Sequence, residues 1–267
     1  MKNGKLIGVA AVALSVFMAG TAFAGTWSEK KVQDQYGTTY TQKSYQKSAG
    51  KLAVSEWIND GGKWYYFGKD GVMETDNISP DGYAVGDNGE WIASIPKLSM
   101  PADMETAYKN VVAKAQQNNQ AEYASTFDQI RYTVHDLDHD GIPKLLVHDG
   151  DSEAAFRYVV YTYDGTSAVE QGEFSAGHAA DIIESDADGN LYFSAAHMGA
   201  YGVSRITYDG SQVEETLIST DMPADILEDD GQSVDYDKAA AYYKKQLGIV
   251  YHLPEANYSD TRLLEIK

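Results

Sequence analysis

The chain has 267 residues, a formal net charge of −19 and no cysteine. That charge argues against nucleic acid, or any anionic polymer held by charge alone, as a partner. The absence of cysteine rules out a disulfide framework and a thiol nucleophile. Stability must come from burial, which this length supports over one small module and one ordinary domain.

The chain opens like a secretory leader. Lys2 and Lys5 precede an apolar run over residues 6–18, and Ala22-Phe23-Ala24 gives a small-x-small cleavage site before Gly25. The run is short for a bilayer span. Cleavage would remove two lysines and no acid, taking the formal charge to −21. No cysteine follows the run to carry a lipid, and residues 262–267 hold no apolar tail or sorting signal. The expectation is a secreted protein of the cell wall or cell surface, with no membrane attachment after cleavage. Acidic exported chains often recruit cations, calcium above all, through hard oxygen ligands.

Residues 50–93 are rich in Gly, aromatic residues, Lys and Asp. Trp57-Ile58-Asn59 and Lys63-Trp64-Tyr65-Tyr66-Phe67 bracket Asp60-Gly61-Gly62, which reads as a β-hairpin, and a second turn sits at Lys69-Asp70-Gly71. A weaker copy follows at residues 82–89. Tyr65 to Tyr83, Gly68 to Gly86 and Gly71 to Gly89 are each spaced by 18 residues, which marks a repeat. One hairpin cannot bury its own faces, so such units stack, with aromatic rings in the seams.

The pattern Trp…Asp-Gly-Gly-Lys-Trp-Tyr-Tyr-Phe…Asp-Gly-Val-Met resembles the choline-binding, or cell-wall-binding, repeat family of secreted Gram-positive surface proteins. It covers about 45 residues, and the stretch from Trp27 to Lys51 reads as a degenerate earlier hairpin. The resemblance implies a β-hairpin solenoid with shallow aromatic sites between successive turns. It also implies a cell-wall polysaccharide or a teichoic-acid-type polymer as partner. Trp57 and Trp64 match the ligand-facing tryptophans, and Tyr66, Tyr83 and Trp91 complete the candidate ligand-binding set. Flat rings stack on sugars, and a cage of them attracts a quaternary ammonium such as choline. Two departures, Asn77-Ile78 where a Trp is expected and Gly82 at the place equivalent to Trp64, argue against a full three-sided cage. Rings that only glue hairpins together are the alternative reading.

Composition shifts near residue 95. Ser99-Met100-Pro101 with Asp103 and Glu105 predicts a helix start, continued by Met104, Tyr108, Val111, Val112 and Ala115 at helical spacing. Strands are predicted over residues 127–136, 142–148, 157–163, 191–193 and 203–207. Two of them end in Tyr-Asp-Gly, at residues 163–165 and 208–210. A last helix runs from Asp235 to Gly248, with Tyr236, Ala240, Tyr243 and Leu247 on one face. The fold class is therefore mostly β: a hairpin-repeat module over residues 25–94, then an α+β antiparallel-sheet domain with flanking helices over 95–267.

Within that domain, Asp136-Leu137-Asp138-His139-Asp140-Gly141-Ile142 presents carboxylates at alternating positions and opens like a calcium loop. Asp136, Asp138, Asp140 and the Ile142 carbonyl are the candidate metal ligands. Related loops carry a further acid at position 9 or 12, where this chain has Lys144 and Val147. An ammonium there would repel the ion unless Asp149 or Asp151 folds back. An Asp-rich β-turn is the alternative, as it is for Asp186-Ala187-Asp188-Gly189.

No Gly-x-Ser-x-Gly elbow or His-Glu-x-x-His helix occurs. The Ser-x-x-Lys matches at Ser28, Ser44 and Ser48 lack companion motifs. His135, His139, His148, His178 and His197 match no zinc spacing. With 40 acidic residues, a carboxylate pair of glycosidase type can be neither located nor dismissed. The reading favours a non-catalytic binder. A wall hydrolase with catalytic carboxylates in the C-terminal domain is its rival.

Overall fold

Alternating side chains and Gly-bearing turns set most of this architecture, and the fold is mostly β. The computed structural model describes residues 12–15, 25–34, 37–48, 50–123, 130–150, 155–176, 182–218, 223–227 and 233–267. The predicted leader lies outside them, except for the backbone of Val12–Ser15. By contact the chain forms two compact units: Met1–Thr75 with Asn88–Trp91, and Asp76–Asp87 with Ile92–Lys267.

In the first unit, β1 (Val12–Ser15), β2 (Thr26–Gln33), β3 (Thr39–Ser48) and β4 (Lys51–Leu52) form one antiparallel sheet in that order. A separate hairpin pairs β5 (Glu56–Asp60) with β6 (Lys63–Phe67). Its Gly61 and Gly62 take φ of 61° and 86°, the left-handed conformation that a tight hairpin turn demands. The hairpin expected from sequence is thus in place, and β2–β3 supplies the degenerate earlier one.

The two hairpins share a cross-strand pairing: Trp27 lies opposite Tyr45, and Trp57 opposite Tyr66. The turn at Asp70-Gly71 also recurs, as Asn88-Gly89. Val72 N–H donates to Asp70 Oδ1 (3.1 Å), and Glu90 N–H, 18 residues on, donates to Asn88 Oδ1 (2.8 Å). Met73 N–H then docks on Lys43 O of β3 (2.7 Å) and Trp91 N–H on Trp64 O of β6 (2.9 Å). Each copy returns to the second strand of the preceding hairpin, and a solenoid-like stack grows in this way. Tyr45, Ala53, Phe67 and Met73 form its small core.

The second unit begins with a short hairpin, β7 (Asn77–Ile78) and β8 (Ala84–Val85). Helix α1 (Ala102–Tyr123) follows Pro101, as predicted. Met104, Tyr108 and Val112 are its buried stripe, continued by Gln116 and Asn119. Two four-strand meanders come next. The first is β9 (Arg131–His135), β10 (Lys144–Asp149), β11 (Arg157–Tyr163) and β12 (Ala168–Ser175). The second is β13 (Ile182–Asp186), β14 (Leu191–His197), β15 (Ala200–Tyr208) and β16 (Val213–Ile218).

The meanders share a plan. Each has an Asp-rich first turn and a Tyr-Asp-Gly third turn. In those third turns Asp164 Oδ1 accepts from the Thr166 and Ser167 N–H groups, and Asp209 Oδ1 from those of Ser211 and Gln212. Helix α2 (Tyr236–Leu247) is capped by Asp235, which accepts from Lys238 N–H, and ends at Gly248 with φ 66°. Its buried face is offset from the predicted one: Ala239 and Tyr243 are buried while Tyr236 is exposed. Residues three and four apart share a helix face, so both Ala239 and Ala240 neighbour Tyr243, and the core lies on the Ala239 side. Strand β17 (Ile249–His252) then joins β13, and β18 (Ala256–Asn257) joins β9, giving two five-stranded sheets. Their core includes Tyr108, Tyr132, Leu145, Val160, Phe193 and Ile206.

Candidate functional site

The period of two along a strand divides the β5–β6 hairpin into two aromatic faces. Ile58, Tyr65 and Phe67 point one way, and there the rings meet those of β2–β3. Trp27 lies 5.2 Å from Tyr45, 5.0 Å from Tyr65 and 5.7 Å from Phe67, and its Nε1–H donates to Asp60 Oδ2 at 2.8 Å. Tyr45 and Phe67 are buried, so this face is the seam between hairpins.

Trp57, Trp64 and Tyr66 point the other way. Trp57 sits 5.3 Å from Tyr66 with planes at 60°. Tyr65 is bridged to Glu90, which puts Trp91 opposite Trp64 and on the same face. Tyr66 is 8% exposed, Trp57 and Trp91 are half-buried, and Trp64 is 43% exposed. Lys63 and Glu90 form an ion pair on the seam side, and the Tyr65 hydroxyl is pushed up by burial and then by Glu90.

Four of the five sequence-predicted rings therefore share one face. Tyr83 falls in the second unit, half-buried, with Lys97 Nζ 5.7 Å from its ring centre. Sequence reasoning overlooked Trp27 as the counterpart of Trp57. The first hairpin is longer, so Trp27 and Tyr45 stand 18 residues apart where Trp57 and Tyr66 stand nine apart, and spacing alone hides the equivalence.

The Asp-rich turn between β9 and β10 is a separate feature. Asp136, Asp138 and Asp140 gather their oxygens within 4.8 Å, the one metal-type cluster among the described residues. Lys144 Nζ bonds to Asp138 Oδ1, to Asp140 Oδ1 at 2.6 Å and to the Ile142 carbonyl at 3.0 Å. Asp136 Oδ2 accepts from Gly141 N–H at 3.0 Å, and burial raises the pKa of this carboxyl. Burial acts upward most strongly on Asp140, but the Lys144 hydrogen bond and charge, with the Ile142 N–H, together hold that carboxyl below its usual value. Asp149 turns instead to Arg157, 3.7 Å away, and Asp151 lies outside the described residues.

The corresponding turn of the second meander is closed by neutral groups. Asp186 Oδ1 accepts from the N–H groups of Asp188 and Asn190, and Oδ2 from Asn190 Nδ2 and the Tyr192 hydroxyl. His135 is buried with Nε2 2.8 Å from Gly189 O, and burial takes its pKa down to about 4. His148 stacks on Tyr158 at 4.8 Å. His178 and the His197 side chain lie outside the described residues.

Residues 51–91 match the choline-binding repeat family. The choline-binding domain of Spr1274 from Streptococcus pneumoniae, known from its crystal structure, is 33% identical over 24% of this chain and 83% of its own, with a TM-score of 0.18. No curated protein matches the chain. No helix among the described residues is long and apolar enough to cross a membrane.

Proposed function

We propose that the chain is an exported, non-catalytic cell-surface protein that holds wall polymers on the outer aromatic face of its repeat module. The observation that carries this reading is the shared face of Trp57, Trp64, Tyr66 and Trp91, with Trp64 43% exposed, inside the segment that matches the choline-binding repeat. An indole held at the surface costs free energy unless a ligand covers it. The ligand class is a wall polysaccharide or a choline-bearing polymer of teichoic-acid type. The acidic charge suits the second: the protein would repel the phosphates and attract the quaternary ammonium, which the ring faces also favour.

Sedimentation with purified Gram-positive walls tests the reading. The full chain is expected to pellet with the walls, and Trp64→Ala to weaken pelleting about tenfold, as a lost hot-spot aromatic does. Free choline at millimolar concentration releases the protein if the handle is choline, and leaves it bound if the handle is a glycan. Unchanged pelleting by both Trp64→Ala and Trp57→Ala would end this assignment. Release of soluble sugar or peptide from the walls would support the rival hydrolase reading.

A further inference from the structure

In the acidic loop after β9, the residues expected to surround a divalent ion surround an ammonium. Positions 1, 3, 5 and 7 of the loop are Asp136, Asp138, Asp140 and Ile142. Their oxygens converge on Lys144 Nζ, from the contact with Asp138 to 4.0 Å for Asp136 Oδ1. Lys144 is wholly buried, a state that a lysine reaches only when its charge is compensated. On its remaining side the ring of Tyr208, from the second meander, lies 5.7 Å from Nζ. No space for an additional cation separates Lys144 from Asp138 and Asp140, and Asp149 does not replace the missing ligand, since it faces Arg157. The loop as built does not fit calcium.

We infer that Lys144 is the resident cation of this loop, bound covalently through its own chain in the place that calcium takes in acidic loops of this spacing. The loop is then a structural lock, closed at any ambient calcium concentration. It ties the first meander to Tyr208 of the second. The matching turn has Asn190 where the first has Asp140, and there Asp186 is closed by amide and hydroxyl donors with no lysine among them.

Thermal unfolding of the full chain, in EDTA and in about 5 mM CaCl2 with NaCl at matched ionic strength, tests this directly. The unmodified chain is expected to melt at the same temperature in both. Lys144→Glu restores the missing acidic ligand. It should melt lower in EDTA and recover by about 3–8 °C in calcium, the shift for a millimolar-to-submillimolar site in a domain this size. Lys144→Gln, which keeps the side-chain volume, guards against a glutamate variant that fails to fold and should show the same response in smaller measure. Asp138→Asn should lower the midpoint of the unmodified chain equally with and without calcium. A calcium-specific rise in the unmodified chain, abolished by Asp138→Asn, would overturn the inference. So would calcium indifference in both Lys144 variants.

Discussion

The two units use their largest rings in opposite ways. All four tryptophans, Trp27, Trp57, Trp64 and Trp91, belong to the first unit, and none is fully buried. The second unit has no tryptophan and closes its core around Tyr108, Tyr132, Tyr158 and Tyr251, each at most 2% exposed. Tyr108 donates to the Pro143 carbonyl at 2.7 Å and Tyr158 to Glu255 at 2.8 Å, so these rings are buried with their polar ends mostly satisfied. One unit treats aromatic area as core, and the other divides it between a seam and an outward face. Exposed indoles are therefore a property of the repeat and not of the chain's composition.

This contrast gives a direct readout, because tryptophan fluorescence reports the first unit alone. Phe67→Ala empties the seam and should destabilise that unit by about 3–5 kcal/mol, lowering the midpoint of the fluorescence transition. Leu145→Ala should do the reverse, costing about 2–5 kcal/mol in the circular-dichroism transition of the second unit while leaving wall pelleting intact. If both variants move both signals together, the units unfold as one and the contrast loses its energetic meaning.

A smaller effect concerns pH and should fall on the second unit. His252 Nε2 pairs with Glu184 Oε1 at 2.6 Å, and that bond raises the histidine pKa above its ordinary value. Asp76, which accepts from the His252 N–H, and Lys244 are the other charged groups facing it. A raised histidine pKa gives stability that is complete below the unfolded value of about 6.5 and is lost as pH climbs through the higher folded value. The dichroism midpoint should therefore fall through this pair as pH rises above about 6.5. Glu184→Gln should flatten that slope. The smallest change is Asp60→Ala, which frees the Trp27 indole from its carboxylate. About 1 kcal/mol of the first unit's stability should be lost, with a shift in tryptophan emission.

Local chemistry made much of this legible. Gly61-Gly62 fixed the β5–β6 turn, Asp235 and Gly248 bounded α2, and the 18-residue spacing announced the repeat. The division of the rings between seam and outer face followed from strand parity, once Trp57 and Tyr66 were known to be opposite. What stayed hidden was long-range. Trp27 joins the seam through pairing with Tyr45, ring contacts with Tyr65 and Phe67, and a bond to Asp60, 33 residues away. Lys144 read as a charge that would repel an ion, because its position in the sequence says nothing of where Nζ ends. The burial of Ala239 in place of Ala240 turned on a phase difference of one residue in α2.

Strands β17 and β18 carry a consequence for biogenesis. They are synthesised after both meanders, yet one lines the outer edge of each. Ala256 must find Tyr132 across more than a hundred intervening residues, a closure that is entropically slow. Neither sheet can be finished before β17 and β18 have been made, so both meanders keep an open edge until the last strands emerge from synthesis.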